Sequence, residues 1–175
     1  MLLTLPDGTR VYVRPIAPED KPLLVEGLRR LSPEAAFRRF MSPKVSFSAA
    51  ELRYLTEVDQ HDHIALVAVD AAHPSHLIAV ARCVRVAPDT ADIAVVVGDP
   101  WQGMGLGRRL ADEVTRRAQT VKIERIAKTI LADNRAAFRL MRGFGWPFEH
   151  DVLSGGVREV VAVLKPAPAA PIPLM

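Results

Sequence analysis

The sequence predicts an α/β (α+β) fold: a single domain in which a mixed central β-sheet is flanked by helices. Three observations predict it. Apolar, β-branched runs ("HIALVAVD", "LIAVARCVRVA", "DIAVVVGD" and "RIAKTIL") are interleaved with segments of helical period in the second half of the chain. Leu106, Leu110, Val114 and Ala118 recur every four residues and form one apolar helix stripe. At 175 residues, 49% hydrophobic and 25% charged, the chain has the size and composition of one globular domain with a real core. No internal repeat is visible.

The elements follow in order. "LLTL" and "RVYVR" flank "PDGT", a turn signal, and read as a hairpin. "APEDKPLLVEGLRRL" (17–31) reads as a helix opened by Pro18 and an acidic first turn. In "SPEAAFRRF", Ser32 fits an N-cap and Pro33 the first helical position. "SAAE" (48–51) fits a capping box ahead of "LRYLTEV". Three strands come next. The last of them, "DIAVVVGD" (92–99), carries four apolar residues in a row, Ala94 to Val97, which predicts a central strand buried on both faces. After the striped helix, "RIAKTIL" reads as a strand. "NRAAFRLMRGFG" reads as a short helix capped by Asn134, with Gly143 or Gly145 near its end. "REVVAVLK" closes the sheet. Residues 1–165 form the expected domain. "PAPAAPIPLM" (166–175) has too much proline for a helix or central strand and reads as a flexible Pro/Ala-rich tail.

Composition excludes several functions. A net charge of +3 argues against a nucleic-acid binder, although Arg108, Arg109, Arg116 and Arg117 are dense enough to meet a small anion. Cys83 is the only cysteine, so no disulfide framework and no cysteine-based metal site is expected. Cys83 itself, within an apolar strand, reads as an inert core thiol. His61 and His63 lack a third ligand, so no metal is expected there. Trp101 and Trp146 are expected to cover the core or a ligand's edges. No signal-like leader and no apolar run of membrane length is seen, so the expected setting is the cytoplasm, with no membrane partner.

"WQGMGLGRRL" (101–110) places three glycines between a strand and a helix. A helix start leaves its first N–H groups without acceptors, and the helix dipole adds positive charge there. Glycine lets a phosphate approach these amides without a Cβ in the way. The spacing is not that of a P-loop, since no Gly-Lys follows. It is not that of a dinucleotide fingerprint either, because the last position counted from Gly103 is Arg108. Gln102, Gly105 and Gly107 do satisfy [QR]-x-x-G-x-[GA]. That pattern resembles the pyrophosphate loop of the GNAT superfamily of acetyl-CoA-dependent N-acetyltransferases. "NRAAFRLMRGFGW" resembles the second block of the same superfamily. "YVRPIAPEDKPLL", "LSPEAAFRRF", "EVDQHDHIALVAV" and "ADIAVVV" extend the likeness to the catalytic domain of bacterial protein lysine acetyltransferases. The likeness runs from residue 9 to about 164.

The resemblance implies a set of roles. Acetyl-CoA would be the co-substrate, and no metal would be needed. Main-chain groups of Val95, Val96 and Val97 would hold the pantetheine arm like an added strand, and one N–H would meet the thioester oxygen. Gln102 and the loop of Gly103, Met104, Gly105, Leu106, Gly107 and Arg108 would cradle the pyrophosphate. Arg108 or Arg109 would meet a phosphate, or else line a solvated helix face. Asn134 would contact the cofactor from the second block. The acceptor would be a protein lysine, such as that of an acyl-CoA synthetase. A free lysine is only about 1 part in 2,500 neutral at pH 7, so a base is needed. The related proteins carry a glutamate for this where the chain has Asp92, one methylene shorter; a water could span the gap, or Asp92 could be a turn residue. Many superfamily members protonate the leaving thiolate with a tyrosine where this chain has Met141. Two other readings stand beside this one: acetylation of a small amine, and a degenerate domain that binds acyl-CoA and regulates a partner.

Overall fold

The computed structural model describes residues 1–164; the expected C-terminal tail lies outside them. Eight strands form one mixed sheet in the order β1-β2-β3-β4-β5-β6-β8-β7. β1 (Leu2–Thr4) and β2 (Arg10–Pro15) form the expected hairpin, its turn closed by Asp7, whose carboxylate accepts from the Thr9 N–H and hydroxyl.

The helix expected over 17–31 is divided in two. Pro18–Asp20 winds as a 3₁₀ turn and α1 spans Lys21–Arg30. In a continuous α-helix the Pro22 ring would meet the Pro18 carbonyl, so the regular helix starts only at Lys21. Asp20 is buried and takes two 2.6 Å hydrogen bonds from the Arg14 guanidinium and one of 2.8 Å from the Ala17 N–H. Burial alone would raise the Asp20 carboxyl; those donors outweigh it and hold it below the usual carboxylate range.

α2 (Pro33–Phe40) is capped by Ser32, which accepts from Ala35 N, and α3 (Ala49–Thr56) opens with the expected Ser48–Glu51 capping box. β3 (His63–Asp70), β4 (Leu77–Ala87) and β5 (Thr90–Val97) continue the antiparallel meander. α4 (Leu106–Thr120) crosses over the sheet, and β6 (Arg125–Leu131) returns parallel to β5. After α5 (Arg135–Gly143), β7 (Phe148–Ser154) and β8 (Val157–Val163) form a hairpin whose second strand lies between β6 and β7.

The apolar stripe on α4 is present: Leu106, Leu110, Val114 and Ala118 are at most 1% exposed. They pack with α5 residues on one face of the sheet. On the other face a smaller cluster, including Leu24, Ala65, Val67 and Val80, packs under α1 and α3. Among the described residues no helix is long and apolar enough to cross a membrane.

One feature of the sheet makes the site. β5 and β6 pair only at Thr90–Arg125, Ala91–Ile126 and Asp92–Ala127. Beyond that point β5 stays on β4 as far as Val97, and β6 stays on β8 as far as Leu131. The two strands therefore part after Asp92. This corrects the expectation that Ala94 to Val97 is buried on both faces. Ala94 is buried, but Val95, Val96 and Val97 are only half-buried, because the neighbour that would cover them has left.

Candidate active site

The gap between the parted strands is a cleft of about 640 Å³, within the range of small-molecule sites. Its walls are the free edge of β5, the start of β6's outer half, and α5; its mouth is the loop before α4. That loop begins with a 3₁₀ turn at Asp99–Trp101 and reverses at Gly103 and Gly105, whose φ values are +76° and +79°. Such left-handed backbone costs any other L-residue energy, which explains the glycines. Gly105 is the N-cap of α4 and has no side chain to satisfy the first amides, so they stay free for a ligand.

Of the residues singled out in the sequence, Val95, Val96, Val97, Gln102, Gly103, Gly105, Leu106, Gly107, Arg108 and Asn134 all border the cleft. Met104 and Asp92 do not: the Met104 side chain packs against the core, and Asp92 lies just beyond the lining, bonded to it through Lys128. Gln102 Nε2 donates to the Val97 carbonyl at 3.1 Å and ties the loop to the end of β5. Asn134 caps α5, its Oδ1 accepting from Ala137 N at 3.1 Å. The Arg108 guanidinium lies 4.8 Å over the Phe144 ring and 3.5 Å from Asp112, at the rim of the cleft. Trp101 lines the cleft, while Trp146 stacks on Phe144 with centroids 4.1 Å apart.

Asp92 is the last β5 residue paired to β6 and sits at the closed end of the gap. Its Oδ1 accepts from Lys128 Nζ at 2.8 Å. Register places Asp92 opposite Val84, and Arg82 opposite Ala94, on the face of the sheet under α1 to α3. Arg82 is buried and donates to the Leu55 carbonyl at 3.2 Å and to His63 Nε2 at 3.0 Å. Burial and the Arg82 charge bring His63 down to about 4, so the imidazole is neutral and accepts. Burial, with Arg39 beside it, brings Arg82 down to about 10. Arg39 is pushed down by its own burial and pulled back up by Asp92 and Tyr54. A cationic wall thus flanks the carboxylate.

His61 pairs with Asp62 and His63 with Arg82, so the two do not converge on a metal. The described residues bring three other candidate donors together, Asp70, His73 and His76, on the β3–β4 connection away from the cleft. Burial pushes the Cys83 thiol up to about 12, in keeping with an inert core thiol. Lys128 and Arg39 are the site residues that the sequence reading passed over. A lone lysine inside the apolar run "RIAKTIL" was the available signal for the first; nothing in α2 marked the second.

Residues 31–146 match the Acetyltransferase (GNAT) family. The chain belongs to that family. It is an acetyltransferase fold of the kind that uses acetyl-CoA as co-substrate. Among its relatives is the acetyltransferase Pat of Mycolicibacterium smegmatis, 35% identical over 140 residues. That match covers 79% of this chain but 41% of Pat, so the chain spans less than half the length of that relative. The crystal structure of the GNAT domain of S. lividans PAT superposes with a TM-score of 0.84 at 26% identity, over 94% of this chain and 96% of that domain. The same fold recurs in yncA of Salmonella typhimurium, solved with acetyl-CoA, at a TM-score of 0.70 and 17% identity over 94% of this chain and 99% of that one.

Proposed function

We propose that this GNAT acetyltransferase transfers acetyl from acetyl-CoA directly to a protein lysine, such as that of an acyl-CoA synthetase. The observation that carries the proposal is the parting of β5 and β6. It leaves free backbone amides at the mouth of a cleft whose other end is bordered by Lys128, the residue that reaches the Asp92 carboxylate. In this reading the amides from Gly103 to Arg108, Met104 through its main chain alone, take the pyrophosphate. Gln102 holds the loop in place, and Asn134 meets the cofactor from α5. The unpaired edge of Val95, Val96 and Val97 takes the pantetheine arm as a strand would. One of its N–H groups polarises the thioester carbonyl.

The acceptor enters from the α1–α3 side. Asp92, directly or through one water, takes the proton that makes the amine nucleophilic. Met141 offers no proton to the leaving thiolate, and a thiol is a tolerable leaving group without one. The transfer passes through a ternary complex rather than an acetyl-enzyme. A buried thiol held near 12 is a poor nucleophile, which supports this. Cys83→Ala is therefore expected to keep its turnover.

The likeness to Pat and to the PAT domain supports a protein acceptor. Labelled acetyl-CoA mixed with the protein, a cytosolic extract and a pool of small amines tests it. Label on lysine in discrete protein bands is the expected result. Label only in the small-molecule fraction would contradict it.

A further inference from the structure

Lys128 occupies an unusual place in the cleft. β5 and β6 separate after the Asp92–Ala127 pair, so Lys128 is the first β6 residue beyond the parting. Its Nζ crosses back to Asp92 Oδ1 at 2.8 Å, the distance a base keeps from the amine it deprotonates. Its side chain is only 26% exposed, and it borders the same cleft as Val95, Val96 and Val97. No other lysine of the described residues borders that cleft. Lys21 and Lys44 are bound to Glu57 and Glu51 elsewhere.

We propose that Lys128 is itself an acetyl acceptor: the chain acetylates its own Lys128 Nζ from the acetyl-CoA bound in this cleft. The inference rests on the reading of Asp92 as the base. The nitrogen gives one proton to Asp92 and its freed lone pair attacks the acetyl carbon. A C–N bond forms, the C–S bond breaks, and the electron pair leaves on the CoA sulfur. Of the two protons the nitrogen sheds, one ends on that sulfur and one passes to solvent. Until it is acetylated, Lys128 also holds the position an external lysine must take beside Asp92.

The full chain is incubated with acetyl-CoA and no added amine, then followed by intact-mass and peptide-mapping spectrometry. The expected result is one acetyl group per chain, on Lys128, formed at a rate independent of protein concentration. Lys128→Arg, which keeps a cation beside Asp92, should gain none. Asp92→Asn should slow the gain by about a hundredfold or more. Label spread evenly over Lys21, Lys44 and Lys122 would overturn the proposal, as would a rate proportional to protein concentration. If Lys128 stays unmodified while an added protein acceptor is acetylated and Asp92→Asn blocks that transfer, self-acetylation falls and the base reading stands. If Asp92→Asn leaves transfer to the added acceptor unchanged, the base reading falls and this inference with it.

Discussion

At Asp92 a single methylene separates this chain from the glutamate that the protein acetyltransferases it resembles carry at the same place. Its carboxylate is met by a neighbour: Lys128 Nζ donates to Asp92 Oδ1 at 2.8 Å. The candidate base was legible in the sequence because it precedes an apolar run that leads into the glycine loop. Its partner was not, because a strand reading says nothing about where two strands separate. The glycines carry a second prediction. Gly105 stands at φ +79°, and a Cβ there would meet no protein atom within 4 Å. Gly105→Ala should therefore cost the fold only the left-handed strain, about 1–2 kcal/mol, or a fall in Tm of a few degrees. The added methyl would face whatever the loop binds. Acetyl-CoA affinity, measured by calorimetry, should drop about tenfold or more. Unchanged affinity would separate the loop from the pyrophosphate.

α4 links the core to the site, since its N-terminus is the cleft's mouth and its buried stripe anchors it to the sheet. Leu110 is fully buried on that stripe. Leu110→Ala should lower the unfolding free energy by about 2–5 kcal/mol, read from urea denaturation. The caps were legible as residues: Ser32, Ser48 and Asn134 each accept the N–H that their sequence context predicts. Ser48→Ala should cost about 1 kcal/mol in the same assay. β7 was not legible. Nearly every residue of "FEHDVLS" is exposed, so no apolar alternation marks it, and it exists as a strand through its pairing with β8. The half-exposed Val95–Val97 shows a related limit. Four apolar residues in a row predict burial, yet here they line a cleft because their neighbour strand leaves.

For the molecule as a whole, the polar wall beneath α1 to α3 ties stability to pH. His63 is held at about 4 in the folded protein against 6.5 in the free side chain, by burial and the Arg82 charge. The unfolded chain therefore binds a proton that the folded one refuses. Its contribution is fully present above about 6.5 and is lost as pH falls from there toward about 4. The urea midpoint should decline over that window, and less steeply in His63→Asn. The fold and the glycine loop together are those of a GNAT acetyltransferase. In the proposed mechanism the Asp92 end of the β5–β6 gap deprotonates the amine while the loop end holds the cofactor. Asp92→Asn separates the two ends. Its kcat on a protein acceptor and its Kd for acetyl-CoA should be measured side by side with those of the parent chain. A base role for Asp92 requires that kcat fall by about 10² or more while Kd stays within a factor of about two. An unchanged kcat would contradict it, and so would a loss carried wholly by weaker cofactor binding.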